Sequence, residues 1–352
     1  MHSRKSSASK ILHYSCALFI ASLLCGCIGK QEQKSRVLWP PFNPKVEFIA
    51  TYSSQKDLPK SSFAKTLDNI LGATGPAFQR PFDVTIKDAG RLLITDSHRS
   101  QVHIIDFQQS TIDSLETPVT VFKPMGITFD KSNRLYIVDN YKHTILVFDE
   151  NLKFQFAFGK DQLTNPVYIS IDDCNNQIYV SDVATHTLEV FDLNGNPIRS
   201  MGTLGREPGQ FFSPQGMAVD EYGRVFVADT LNARIQVFDC NGTYLYQFGE
   251  RGTNKGQMEL PKDIAIDSEG HLYIVDTRRG SFSIFQPDGK LLLTVGSNAP
   301  TFHPYGLALP NSITIDQSDR IYITDAAARR LSIWQYLGSN RDAPSLTSSP
   351  HH

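Results

Sequence analysis

Asp83, Tyr168 and Asp263 are the side chains of this sequence best placed for chemistry. Each follows a proline (Pro81, Pro166, Pro261) by two positions at the head of an apolar segment. With central backbone carbonyls, the two carboxylates are candidates for a hard cation such as calcium, in support of metal-dependent hydrolysis or elimination. Two carboxylates are a thin ligand set, which water or Lys262 would satisfy, so no metal or other cofactor is expected. His98, His143 and His186 form a second candidate set, of the type that zinc prefers. They follow their preceding aspartates by 2, 4 and 4 residues, a mismatch that keeps them from converging. The sequence holds no HExxH, P-loop, nucleophile elbow, CxxC or CxxCH haem motif, so no catalytic residue is assigned.

The elements that must position these residues repeat six times. Prolines 81, 124, 166, 214, 261 and 310 each open a short apolar strand. A second strand of the type IYIVD closes on Asp96, Asp139, Asp182, Asp229, Asp276 or Asp325. The Pro-to-Asp spacing is 15 in five copies and 16 in the third, and the period is 42 to 49 residues. In the second copy four strands are legible: MGITFD, RLYIVD, HTILVFD and KFQFAFG. Asn194-Gly195, Asn241-Gly242 and Asp288-Gly289 are turn pairs of tight hairpins. Repeats of this length built only from strands predict an all-β, six-bladed propeller of four-stranded antiparallel blades. The last copy supplies three strands, and Lys45–Ser54 is an orphan. Pairing the orphan as the outer strand of blade six closes the ring and removes an open edge. A short helix is expected around Phe63–Leu71.

The fourth copy, PQGMAVDEYGRVFVADTLNARIQVFDCNGTYLYQFG, with its preamble from Gly205 to Pro214, resembles the NHL repeat closely. The first, third and sixth copies lack the Asn and Arg of its DTxNxRI segment. The chain as a whole resembles bacterial six-bladed NHL propeller lipoproteins, which implies a binding or scaffold role more than a defined activity. Distant propeller lyases and lactonases imply the alternative of an enzyme at the channel mouth.

The termini read differently from the repeats. Arg4, Lys5 and Lys10 precede an apolar stretch from Ile11 to Leu24, followed by Leu24-Cys25-Gly26-Cys27. This is a secretory signal in charge and length, and its end resembles a lipobox, which implies cleavage before Cys27 and acylation there. Ile28 in place of Asp implies sorting to the outer membrane. The expected organisation is a signal peptide over 1–26, a lipid-anchored tether over 27–44, the propeller over 45–337 and a disordered tail over 338–352. Cys174 and Cys240 fall in turns of neighbouring blades at different radii. A disulfide needs their Cα atoms within about 7 Å, so free thiols are expected.

The closing aspartates read as turn residues that accept backbone N–H groups two or three positions on. The formal net charge of -2 gives no bulk attraction to polyanions, but charge is sorted by face. The loops joining second to third strands carry His98, Arg99, Lys142, His143, His186, Arg234, Arg278, Arg279, Arg329 and Arg330, with no acid after the closing Asp. The opposite hairpins are acidic on balance. Tyr141, Phe211, Phe212, Phe302 and Tyr305 fall on or near the basic face. The reading is therefore a non-catalytic, monomeric propeller at the cell envelope. It would dock an acidic protein or anionic envelope polymer on the basic face, touch the membrane through its anchor only, and bind no nucleic acid. A metal-dependent hydrolase or lyase at Asp83, Tyr168 and Asp263 is the alternative.

Overall fold

The computed structural model describes residues 37–40, 43–59, 77–88, 90–296 and 303–338. Six antiparallel sheets are formed, five of four strands and one of five. Blade one runs through Pro81–Asp88, Arg91–Asp96, Gln101–Asp106 and Thr111–Ser114, and the next four blades repeat that order. The six first strands contact one another in a closed cycle, the sixth (Pro310–Ile315) returning to the first.

Closure follows the expected route. Val46–Tyr52 pairs antiparallel with Arg330–Tyr336, so the chain's beginning forms the outer part of its last blade. One assignment is corrected. Val37–Trp39, which the sequence places in the tether, adds a fifth strand against Val46–Phe48. Its anchor is the indole N–H of Trp39, which donates to the Thr294 carbonyl of blade five at 2.8 Å. The proline-rich composition around Trp39 hid a three-residue strand. The expected helix at 63–71, the signal at 1–26 and residues 339–352 of the tail lie outside the described residues.

Alternation explains the blades. In Leu135–Asp139 and Leu272–Asp276 every residue is buried, because central strands are covered on both faces by neighbouring blades. In the outer strands Phe154–Phe158 and Tyr244–Phe248 alternate residues face solvent. The core is accordingly a ring of clusters, each lying mainly between two adjacent blades, with Phe82 of blade one joining the cluster of blades three and four. Tyr136, Tyr273 and Tyr322 sit in it and donate their hydroxyls to Asp130, Asp267 and Asp316. Those aspartates belong to the acidic hairpins and also bond their own turn backbones. Several of the acids that make the far face negative are therefore hairpin clasps.

The closing aspartates tie each blade to the segment entering it. Asp139 accepts from the N–H groups of Phe122 and Lys123 on the incoming chain, and from Tyr141 and Lys142 in its own turn. Asp96 and Asp182 do the same with their own segments. Buried carboxylates with this many donors need no ligand to account for them. Residues beside them stitch blade to blade: Asn140, Thr230 and Thr277 donate to the carbonyls of Pro166, Pro261 and Pro310 in the next blade. The extra residue of the third copy is absorbed in the hairpin after Asp172, whose carboxylate accepts from the N–H groups of Cys174 and Asn175. Cys174 and Cys240 are free.

Candidate functional site

All six first strands carry a register shift directly after the proline. A bulge re-aims the side chain it carries. The residues two beyond each proline are Asp83, Gly126, Tyr168, Gly216, Asp263 and Ser312. They form the neck of the channel, and their sizes are interlocked. A Cβ on Gly126 would lie 2.8 Å from the Tyr168 Cα, and one on Gly216 would lie 2.0 Å from Asp263 Oδ1. Glycine in blade two thus admits the backbone of blade three, and glycine in blade four admits the backbone and carboxylate of Asp263 in blade five.

Asp83 and Asp263 flank blade six and meet at Ser312. The Ser312 hydroxyl donates to Asp83 Oδ1 and is also in hydrogen-bonding reach of Asp263. The remaining acceptor capacity goes to the backbone: Val84 and Ile127 N–H to Asp83, Ile264 and Ile313 N–H to Asp263. Burial pushes the Asp83 carboxyl up to about 6 against these bonds. Burial, and then the charge of Asp83, holds Asp263 well above the usual carboxylate range. The two carboxylates share one hydroxyl donor, so ionisation of either disfavours ionisation of the other. Tyr168 is buried beside them; burial first and the two carboxylates second raise its phenol, which donates to the Asn311 carbonyl at 2.7 Å. The sequence reading put these three residues at an open mouth. They instead fill the neck, with a cavity of about 240 Å³ on one side of them. A cation finds no ready ligand set here, because the carboxylates face backbone N–H groups. Among the described residues no three His, Cys, Asp or Glu side chains converge on a metal position.

The mouth proper lies above the neck, between blades five, six and one. It is a cavity of about 520 Å³ edged by Arg80, His98, Lys262 and Arg329, with Asn311 and Thr277 in its wall and no carboxylate in its lining. Lys262 stands one residue before Asp263 and lies over the Phe82 ring, 5.9 Å from its centroid. Burial lowers its ammonium to about 8; Asp263 opposes that shift and Arg80 adds to it.

Besides His98, which edges the mouth cavity, the cationic loop residues named from sequence divide into two groups. Arg234 is buried and its fork is consumed within the fold: Nε to Asp229 at 2.8 Å, the terminal nitrogens to the carbonyls of Arg206, Glu207 and Gln210 and to Gln247. Arg279 clamps the carbonyls of Thr253, Asn254 and Gln257, and Arg330 those of His303 and Gly306. Lys142 donates to the Thr120 carbonyl, and His186 Nδ1 accepts from Ser213 N–H. These side chains are engaged within the fold, where they position the long blade-to-blade segments. Arg99, Arg278 and Arg329 remain exposed, Arg278 within 3.5 Å of Glu259; His143 is half-buried in a left-handed turn.

Sequence reasoning missed Arg80, one residue before its proline, where Lys123 stands in the next copy. Of the exposed apolar set on the same face it named Tyr141 and missed the other four. Phe122, Tyr141, Leu204, Leu231 and Leu309 are exposed, all in second-to-third or blade-to-blade loops. Tyr141 packs on Phe122 at 5.3 Å between centroids, with the Lys142 ammonium over Phe122. Phe211, by contrast, is fully buried between blades.

The comparisons agree with this architecture. The NHL repeat is matched over residues 211–238, the fourth copy. No curated protein sequence matches the chain. Among solved structures, a streptogramin B lyase is 14% identical with a TM-score of 0.58, covering 75% of this chain and 95% of its own. A gluconolactonase from Xanthomonas campestris is 18% identical, with a TM-score of 0.58, and coverage of 74% and 86%. A chain of a nidogen–laminin complex is 18% identical, with a TM-score of 0.54, and coverage of 67% and 86%. These likenesses carry the fold: a six-bladed propeller with an NHL repeat, in an architecture used by enzymes and by binding proteins alike.

Proposed function

We propose that this propeller is a binding module of the cell envelope, tethered through an acylated Cys27, whose basic loop face docks an acidic protein or anionic envelope polymer. The observation that carries the reading is the composition of that one face. Exposed Arg80, Arg99, Arg278 and Arg329 stand on it together with exposed Phe122, Tyr141, Leu204, Leu231 and Leu309. Arginine and aromatic side chains dominate interface cores, since they offer area and directed bonds at once. Hydrolysis or elimination at the neck is the less supported reading, because Asp83 and Asp263 are turned into the backbone and their shared serine.

The test uses polyglutamate as an acidic chain and polylysine as its control, with the intact propeller. The variant Arg99→Glu/Arg278→Glu/Arg329→Glu is expected to weaken polyglutamate binding at least tenfold and to flatten its salt dependence. Equal binding by variant and wild type, or preference for polylysine, sinks the docking reading. For the anchor, Cys27→Ser is expected to move the exported protein from the membrane to the soluble fraction; a variant that stays with the membrane refutes acylation at that residue.

A further inference from the structure

The mouth cavity is edged by a lysine that no described residue engages through a hydrogen bond. Lys262 sits at its edge, half-buried, and its ammonium has a ring contact but no hydrogen-bond partner among the described residues. An ammonium carries three donors, and those of Lys262 are left to whatever occupies the cavity. The charged groups around it are Arg80 and His98 from blade one, Arg329 from blade six, and Asp263 next to it in sequence. Asp263 is spoken for by Ile264, Ile313 and Ser312. Three cations and a histidine thus surround about 520 Å³ without a carboxylate in the lining. Asn311 and Thr277 add neutral polar wall, and Leu309 an apolar edge. Cavities of a few hundred Å³ with a few convergent polar groups are the usual size and make-up of small-molecule sites.

We propose that this pocket binds a sugar-sized anion, its carboxylate or phosphate oxygens on the Lys262 ammonium, with Arg80 and Arg329 flanking. This deepens the docking reading above and rests on it for the sign of the ligand, since the pocket opens on the same face. The carboxylate would come from the end of an acidic polymer or from a free acid sugar, and the phosphate from a phosphorylated one. Arginine forks match the planar oxygens of either group, and the anion would restore the charge balance that burial takes from Lys262.

Calorimetric titration of the intact propeller tests this with galacturonate, glucose 6-phosphate, inorganic phosphate and neutral glucose as probes. One or both anionic sugars are expected to bind, more tightly than inorganic phosphate, with no heat from glucose. Lys262→Met should weaken the bound sugar at least tenfold, and Lys262→Arg should stay within about threefold. Arg80→Met, at an exposed position that folding does not need, should weaken it at least threefold and serves if Lys262→Met misfolds. Between pH 7 and 9.5 wild-type affinity should fall at least tenfold as the ammonium loses its proton, while Lys262→Arg stays level. No binding of either anionic sugar, equal binding of glucose, or unchanged affinity in both the Lys262→Met and Arg80→Met variants overturns the proposal. Sugar binding without polyglutamate capture would retain the pocket and remove the docking face. Polyglutamate capture with inert sugars would remove the pocket and retain the face.

Discussion

Arg234 offers the sharpest test of the distinction between anchors and contacts. Its side chain is 8% exposed, and that of its partner Asp229 is fully buried. Replacing it with alanine removes the ion pair and four further bonds, to Arg206, Glu207, Gln210 and Gln247. Breaking a buried pair from one side costs about 3–5 kcal/mol, because the other charge is left uncompensated. Asp229 keeps donors from Phe212 N–H, Asn232 and Gln236, and the freed carbonyls of exposed Arg206 and Glu207 regain water. The expected loss is therefore at the lower end, about 3 kcal/mol. For a domain of this size that is on the order of 6–10 °C in Tm. Guanidinium unfolding followed by tryptophan fluorescence is the assay. Both tryptophans, Trp39 and Trp334, belong to the closing sheet of blade six, so they report on the ring rather than on the mutated blade. Arg234→Lys should recover little, since a single ammonium cannot reproduce the fork. A loss under about 1 kcal/mol in the alanine variant, the range of an exposed arginine, would refute the anchor reasoning and return Arg234 to the binding face.

Three other perturbations follow from the same geometry. The raised Asp83 carboxyl contributes stability that is full below its ordinary 3.8 and is lost as pH rises through about 6; the difference in unfolding free energy between wild type and Asp83→Asn should therefore shift against the wild type by on the order of 2–3 kcal/mol between pH 4 and 7, and a flat difference across that window contradicts a carboxyl raised by burial in the neck. Gly216→Ala would put a Cβ 2.0 Å from Asp263 Oδ1 and 2.6 Å from its Cα, so thermal melting should show a loss of about 2–3 kcal/mol or more, and a tolerated alanine would mean that the neck is not interlocked. Removing residues 37–52 from the propeller strips two strands from the closing sheet and exposes the edge of Arg330–Tyr336, so size-exclusion chromatography should show association or aggregation; a monomer with an unchanged melt would refute closure by the N-terminal strand.

Much of the architecture was legible before any coordinates. A proline that starts a strand and an aspartate that ends the next are local signals, and they recur at one spacing in every blade. Even the strand that closes the ring could be named, because the last repeat lacked one and Lys45–Ser54 had no repeat to join. Val37–Trp39 was not legible, since three residues beside two prolines carry no strand period and the Trp39 anchor lies in blade five. The neck residues were found by position, but their state was not. That Asp83 and Asp263 meet at one serine depends on blade six standing between blades five and one, a neighbourhood that exists only in the closed ring.

The sequence by itself determined the number of blades, the strand order, the tight turns and the face on which each loop emerges, because these follow from backbone chemistry repeated at short range. Tertiary structure decided which cationic side chains are buried and which are exposed. Arg234, Arg279 and Arg330 are of the same type, and stand in loops of the same class, as Arg99, Arg278 and Arg329. The long segments folded over the first three turn their guanidinium groups inward to satisfy backbone carbonyls, and the arrangement of blades five, six and one leaves Lys262 facing an open cavity.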